Sequence, residues 1–167
     1  VDPHRTRWDE RPLRYLGQTV PRPWIRGADL ERVLPRRAAQ ARAAKIIVAG
    51  LTKHLEAVYD PGGLLAAKST TVLLVADPAL AWLLTGLLNS QAGRQQYHRQ
   101  FPGLRLANGY SRVGPPQLRA LAIPDLRGMT EQDRSIVCSA AAGLADLARR
   151  GVSETEGRWR RKLAAID

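Results

Sequence analysis

Apolar and polar residues follow neither a helical nor a strand period at the start of the chain. Over residues 1–44, prolines at positions 12, 21, 23 and 35 interrupt every short apolar run. Such breaks favour irregular backbone over helices or strands. The pattern predicts an N-terminal arm or linker over residues 1–44, with one short turn around Asp29–Leu34.

Short apolar runs typical of strands begin after residue 44. The runs are Ile46–Ala49, His54–Tyr59, Leu64–Ala67 and Thr70–Ala76. The second run ends at Asp60-Pro61-Gly62-Gly63, a combination typical of a tight turn. The four runs predict a small antiparallel meander.

The period becomes helical at Asp77-Pro78, because Asp is a favoured N-cap and Pro a favoured first helical residue. An apolar helix is predicted to continue to Ser90, and a polar helix follows over Gln91–Phe101 until Pro102-Gly103 ends it. Further predictions are a hairpin-like turn at Asn108-Gly109, a short helical turn after Gly114, a strand over Leu121–Pro124, a helix from Thr130 to about Arg150, and a last helix opened by Ser153-x-x-Glu156.

These elements together predict an α+β fold: a small, curved, mostly antiparallel sheet with the Asp77–Ser90 helix packed against it and a C-terminal helical pair. The predicted division is an arm over 1–44, a central domain over 45–127 and C-terminal helices over 128–167. The first residue is Val1 and not Met, which suggests a piece of a longer protein.

The charge distribution adds a functional signal. The chain has 26 basic and 15 acidic residues, so its net charge is +11. Residues 61–127 contain seven basic residues and only two acids, Asp77 and Asp125, which suits a surface that faces phosphates. Nucleic acid is the commonest partner of so basic a domain. The alternative is an Arg-rich proteome in which Arg replaces Lys on ordinary surfaces.

Sequence signatures of catalysis are missing. The chain has no P-loop, no G-x-G-x-x-G, no H-E-x-x-H and no G-x-S-x-G motif. Its three histidines lack metal-ligand spacing, and its single Cys138 excludes an internal disulfide and any multi-Cys zinc site. We therefore expect no catalysis and no metal in this chain. Because no apolar stretch approaches the roughly 20 residues needed to span a bilayer, we also expect a soluble cytoplasmic protein without a membrane span.

Several side chains are candidates for DNA contacts. Lys45 and Lys68 would neutralise phosphates, while Tyr110 and Arg112, which follow the Asn108-Gly109 turn, would read bases. The predicted polar helix adds further candidates, namely Arg94, His98 and Arg99. For the helix the alternative is an ordinary solvated face; for Lys68 it is a solvated hairpin lysine; for Arg112 it is a structural role in holding its loop.

The order of the segments carries a family resemblance. The segments are Lys45-Ile46-Ile47-Val48, the strand and turn over His54–Gly63, Thr70–Val75, the Leu83–Ser90 helix ending in L-L-N-S, and Leu118-x-x-Leu121-x-Ile123-Pro124. In this order they resemble the TaqI-like C-terminal specificity domain. That domain is the target-recognition domain of adenine-N6 DNA methyltransferases and fused type IIG restriction-modification enzymes, including phage-defence methylases of bacteria.

The resemblance covers residues 45–124 and implies that residues 45–127 recognise double-stranded DNA. It also implies a partner, a separate catalytic methyltransferase domain of the parent protein, which would bind S-adenosylmethionine and use an Asn/Asp-Pro-Pro-Tyr/Phe motif on a flipped adenine. This chain lacks that motif. We therefore expect neither binding of S-adenosylmethionine nor methylation by this chain alone. Target-reading residues of the family lie on variable loops, so none is transferred by motif.

Two other functions remain open at this point. One is a protein-interaction or assembly module of a larger DNA-processing or phage-defence complex, whose helices over 130–167 pack on a partner chain. The acid-poor stretch over 61–127 has no explanation in that hypothesis. The other is a nuclease-like enzyme, which the scarcity of clustered carboxylates disfavours.

Overall fold

The protein is described by a computed structural model that covers residues 13–15, 17–20, 27–66 and 69–150. Strands β1 (Leu13–Tyr15) and β2 (Gln18–Val20) form an antiparallel hairpin. Helices α1 (Gly27–Val33) and α2 (Pro35–Arg42) follow. The prediction of an irregular arm with one short turn is therefore wrong for this part of the chain. Pro35 does not prevent α2, because it occupies the first turn, where a backbone N–H has no intrahelical partner.

A three-stranded antiparallel sheet forms the centre of the fold. Strand β3 (Lys45–Ala49) pairs with β5 (Ala57–Asp60) on one side and with β6 (Thr70–Leu74) on the other. The antiparallel prediction is confirmed, but the meander order is wrong, because β3 and not β5 is the middle strand. All five residues of β3 are buried, as expected of a strand covered on both edges and both faces.

The run predicted as a strand over Leu64–Ala67 is irregular over its described part, residues 64–66. Gly62 and Gly63 have φ values of 133° and 126°, which end β5. The amide of Leu64 then donates to Asp60 Oδ2 at 3.0 Å and joins no neighbouring strand.

The helices that follow the sheet begin where the sequence predicts. Helix α3 (Pro78–Asn89) is capped by Asp77, whose side chain accepts from the Ala79 amide at 2.9 Å. Helix α4 (Gln91–Gln100) is capped by Ser90, whose Oγ accepts from the Gly93 amide at 2.9 Å. A 3-10 turn over 102–104 ends α4.

A second ribbon, two helices and a 3-10 turn complete the described chain. A second short ribbon joins β4 (Leu51–Thr52) to β7 (Ser111–Arg112) in antiparallel register. Helix α5 (Pro115–Ala120) and a 3-10 turn over 126–128 precede the long α6 (Glu131–Arg150). The predicted strand over Leu121–Pro124 is wrong, since these residues pair with no strand among those described. The last helix predicted from Ser153 lies outside the described residues.

The hydrophobic core lies between the sheet and α3, which confirms the predicted packing of that helix. Ile46 and Val48 of β3 contact a buried cluster that includes Ala81 and Leu88 of α3. The Tyr59 ring meets Trp82 edge-on, with ring centroids 4.9 Å apart. The described helices and antiparallel strands form an α+β fold, as predicted.

Helix α6 covers the other side of α3. Its buried residues Val137 and Ala141 pack next to Gly86 of α3. A Cβ atom at Gly86 would lie 2.4 Å from Val137 Cγ1. Part of the apolar side of α6 is therefore used within the chain, while Ile136 remains 44% exposed.

Candidate nucleic-acid interface

The segment over residues 91–120 contains five arginines and no Asp or Glu. Arg94 is half-buried, and the other four, Arg99, Arg105, Arg112 and Arg119, are exposed. Ion pairs in the described residues lie elsewhere and join Arg32 to Asp29, Arg42 to Glu31, Lys45 to Asp60 and Arg127 to Asp125. Over the described chain, the five arginines thus have no carboxylate partner.

The short ribbon of β4 and β7 carries two of the predicted contact residues. Because Leu51 pairs with Arg112 and Thr52 pairs with Ser111, the next position brings Lys53 opposite Tyr110. The Lys53 ammonium lies 5.4 Å from the centroid of the Tyr110 ring, within cation–π distance. Alternate residues of a strand share a face. Tyr110 and Arg112 therefore stand on one face of the ribbon together with Lys53.

A tight turn sets the position of this ribbon. Gly109 has φ = 80°, in the left-handed region that favours glycine, and its amide donates to the Leu106 carbonyl at 2.9 Å. The Leu106 amide donates in turn to the Tyr110 carbonyl at 2.6 Å. The predicted hairpin-like turn at Asn108-Gly109 is confirmed, and it presents Tyr110 at the end of the ribbon.

Helix α4 anchors the ribbon through Tyr97. The Tyr97 side chain is 1% exposed, and its hydroxyl donates to the main-chain carbonyl of Arg112. Burial raises the pKa of Tyr97, so it remains a neutral donor. The main chain of Arg112 is thus fixed, while its guanidinium is exposed and is hydrogen-bonded to no described carbonyl or carboxylate.

A second group of cations lies on α4 itself. Arg94 Nη1 is 3.1 Å from His54 Nδ1. Because a guanidinium only donates, His54 accepts at Nδ1. His98, one helical turn after Arg94, has a lowered pKa, first because of burial and then because of the nearby positive charges of Arg105 and Arg94. His98 is therefore neutral near pH 7 and lies within the electrostatic influence of both arginines.

Lys45 is not a surface residue, so its predicted contact with a phosphate is wrong. Its side chain is 0% exposed, and its ammonium pairs with the buried Asp60. It also donates to the carbonyls of Ala41 at 2.9 Å and Ala43 at 3.1 Å. All three ammonium hydrogens are used, so Lys45 stabilises the junction between α2 and the sheet. Lys68 lies outside the described residues.

The remaining predicted residues lie on α4 and on the ribbon, and contacts connect the two groups. Arg94 contacts His54, and Lys53, the neighbour of His54 in sequence, contacts the Tyr110 ring. Arg105 acts electrostatically on His98 and pairs with Ser111, on the face of the ribbon opposite to Tyr110 and Arg112. Arg99 is exposed on α4 next to His98. The structure adds three residues that the sequence interpretation missed, namely Lys53, His54 and Arg105. Together these residues make up the basic surface: Lys53, His54, Arg94, His98, Arg99, Arg105, Tyr110 and Arg112.

Only part of this surface had a signal in the sequence. Arg105 belongs to the acid-poor stretch, so its charge alone could have identified it as a candidate for DNA contact. Lys53 and His54 lie in the chain between β4 and β5, far in sequence from their partners. Their place depends on the pairing of β4 with β7, which no local pattern reveals.

Comparison of the chain with protein-family models and with curated proteins finds no match. Over the described residues, no three His, Cys, Asp or Glu side chains are grouped to hold a metal ion. None of the described helices combines the length and apolar character needed to cross a membrane.

Proposed function

We propose that this chain binds double-stranded DNA through the basic surface and serves as the target-recognition module of an adenine-N6 DNA methyltransferase or restriction-modification enzyme. The observation that carries the proposal is the group of exposed arginines, without carboxylate partners in the described chain, over residues 91–120. An arginine already paired with an acid has little net attraction for a phosphate. These unpaired arginines keep their attraction for a phosphate.

The geometry suggests two roles within the surface. Arg99, Arg105 and Lys53 are exposed cations that suit phosphate contacts, which add affinity without sequence preference. Arg112 has a fixed main chain and an exposed guanidinium, and it stands beside an aromatic ring on a projecting turn. This combination suits a bidentate contact to guanine, which typically contributes about 1–3 kcal/mol of discrimination.

The first experiment measures binding of the chain to a short DNA duplex as a function of salt. Counterion release predicts a slope of about −0.9 in log affinity against log salt for each neutralised phosphate. The test variant is Lys53→Gln/Arg99→Gln/Arg105→Gln. The matched control is Arg32→Gln/Arg36→Gln/Arg127→Gln, which removes the same charge from exposed arginines outside the basic surface.

The test variant is expected to flatten the slope by about three contacts, roughly 2.7 units, while the control keeps the wild-type slope apart from a small change due to net charge. Equal losses in the two variants would mean that only net charge matters, and the surface would lose its role. No detectable binding at low salt would contradict the DNA proposal itself.

The parent activity is the second part of the proposal. Methylation would belong to a separate domain that holds S-adenosylmethionine, because residues of this chain supply no Asn/Asp-Pro-Pro-Tyr/Phe motif for a flipped adenine. Calorimetry of the chain with S-adenosylmethionine is expected to give no saturable heat. Micromolar binding would overturn the assignment of this chain to recognition alone.

A further inference from the structure

We propose that Arg94, His98 and Arg105 form a phosphate-binding site in which His98 takes up a proton as the phosphate binds. The inference rests on the proposed function for the source of the phosphate, the DNA backbone. Proton uptake by His98 would make DNA affinity depend on pH near neutrality. Arginine contacts alone would not, because arginine stays charged over this pH range.

The three side chains converge from two elements. Arg94 and His98 are four residues apart on α4 and therefore lie on the same face of the helix. Arg105 lies beyond the end of α4 and forms a bridge with Ser111 of the ribbon. The contact between Arg94 Nη1 and His54 Nδ1, at 3.1 Å, holds the guanidinium over the chain between β4 and β5.

The two charged groups that shift the pKa of His98, Arg105 and Arg94, are both positive. Arg94 lies one turn before it on α4, and Arg105 approaches from the following loop. Its other neighbour is the Tyr97 ring, edge-on at 6.1 Å between centroids and uncharged. Arg99 is adjacent in sequence, and residues 91–120 contain no acid. Two cations therefore act on an imidazole that no carboxylate of its own segment offsets.

A bound phosphate would reverse this balance. Its negative charge cancels the repulsion from Arg94 and Arg105, and its oxygens accept a hydrogen bond from a protonated ring. Both changes favour the imidazolium form of His98, whose pKa is lowered in the free chain by burial and by the same two arginines. The proton comes from solvent, and no covalent bond changes.

Over the described residues, Ser111 has an unused hydroxyl next to Arg105. It is 3% exposed, and its Oγ has no hydrogen-bond partner in the described chain. Since Ser111 is the bridge partner of Arg105, its side chain lies on the Arg105 side of the ribbon. Unsatisfied buried hydroxyls are uncommon, and this one is shielded from solvent, so a buried water and not the phosphate itself would be its partner.

The experiment follows the proton NMR signal of the His98 ring against pH, with the spectrum of His98→Gln giving the assignment. Titrations use the wild-type chain alone, with inorganic phosphate and with a short DNA duplex, at constant ionic strength. The pKa of His98 is expected to rise by about one unit with either probe, which corresponds to a roughly tenfold gain in DNA affinity as the pH falls from about 8 to below the pKa of His98 in the free chain.

Two variants test the site itself. His98→Gln is expected to bind DNA with an affinity that no longer increases as the pH falls from about 8, because the group that takes up the proton is missing. Arg105→Gln is expected to weaken binding at every pH and to shrink the pKa change of His98. Arg36→Gln, an exposed arginine on α2, is the control and should leave the pKa change as in the wild type.

The possible outcomes test the site and the proposed function separately. If DNA binds and the pKa of His98 stays constant with both probes, the site is refuted and the function stands. If DNA does not bind but inorganic phosphate raises the pKa, the function is refuted and the site stands. If neither probe changes the chain, both are refuted.

Discussion

Replacement of Lys45 with Met is expected to lower the free energy of unfolding by about 3–5 kcal/mol, the range for removing one partner of a buried ion pair. Lys45 is 0% exposed and Asp60 is 4% exposed, so water cannot replace the lost cation. Met has similar length but no hydrogen-bond donor. The Asp60 carboxylate would keep only the amides of Gly62 at 3.1 Å and Leu64 at 3.0 Å. The Ala43 carbonyl would lose its Lys45 donor, while the Ala41 carbonyl would keep the Gly63 amide at 2.8 Å.

Urea and thermal unfolding followed by circular dichroism would measure this loss. For a chain of this size, the expected loss corresponds to a fall in Tm of about 6–20 °C. Lys53→Met is the matched control, because Lys53 is exposed, and its effect should stay within about 0.5 kcal/mol. The double variant Lys45→Met/Asp60→Asn removes the buried charge while keeping an acceptor for the turn amides, and it should recover part of the loss.

A loss below about 1 kcal/mol in Lys45→Met would refute the structural role of the pair. So would a double variant less stable than the single one. The Lys45→Met variant also tests the phosphate contact that the sequence suggested for Lys45. Provided the variant is folded, its DNA salt slope should equal that of the wild type; a slope flatter by about one contact would restore the original interpretation.

Three further results are expected. Gly86→Ala should destabilise the fold by about 1–3 kcal/mol, because its Cβ would lie 2.4 Å from Val137 Cγ1, whereas Gly103→Ala, with nothing within 4 Å, should be nearly neutral in thermal melts. Arg112→Ala should relax DNA site preference in the parent protein with little change in Tm; a loss of several degrees with unchanged preference would assign the side chain a structural role. The pKa of His98 is lowered in the folded chain, so the unfolded chain binds the proton more readily, and stability should fall as pH drops below about 6.5 and level off below the folded pKa. In His98→Gln this part of the pH dependence should vanish, and an unchanged profile by urea unfolding would contradict it.

Local chemistry made several elements predictable. Asp77 and Ser90 predicted the starts of α3 and α4, because the side-chain oxygen of an N-cap residue accepts from amides only two or three residues away. The turn at Gly109 and the start of α6 after Thr130 were predictable for the same reason. The α+β class followed from the alternation of such elements, and the acid-poor stretch over 61–127 required only counting.

Interactions between distant segments were not predictable in this way. The apolar runs around β3 suited a meander equally well, and only packing against α3 and both neighbours made β3 the middle strand. The helices over 27–42 escaped the pattern because prolines mark both helix starts and irregular chain. Leu121–Pro124 had the composition of a strand but found no partner strand among the described residues.

The basic surface depends most on tertiary structure. In sequence, Lys45 was a cation like any other; its burial beside Asp60 results from the register of β3 and β5, which pairs the two residues directly. Arg94 and His54 are 40 residues apart and meet only because β4 pairs with β7 beside α4. The sequence determined which charges exist and which short segments are regular. Long-range packing decided which charges are buried and which share a surface, because burial and proximity are properties of contacts that no short window of sequence contains.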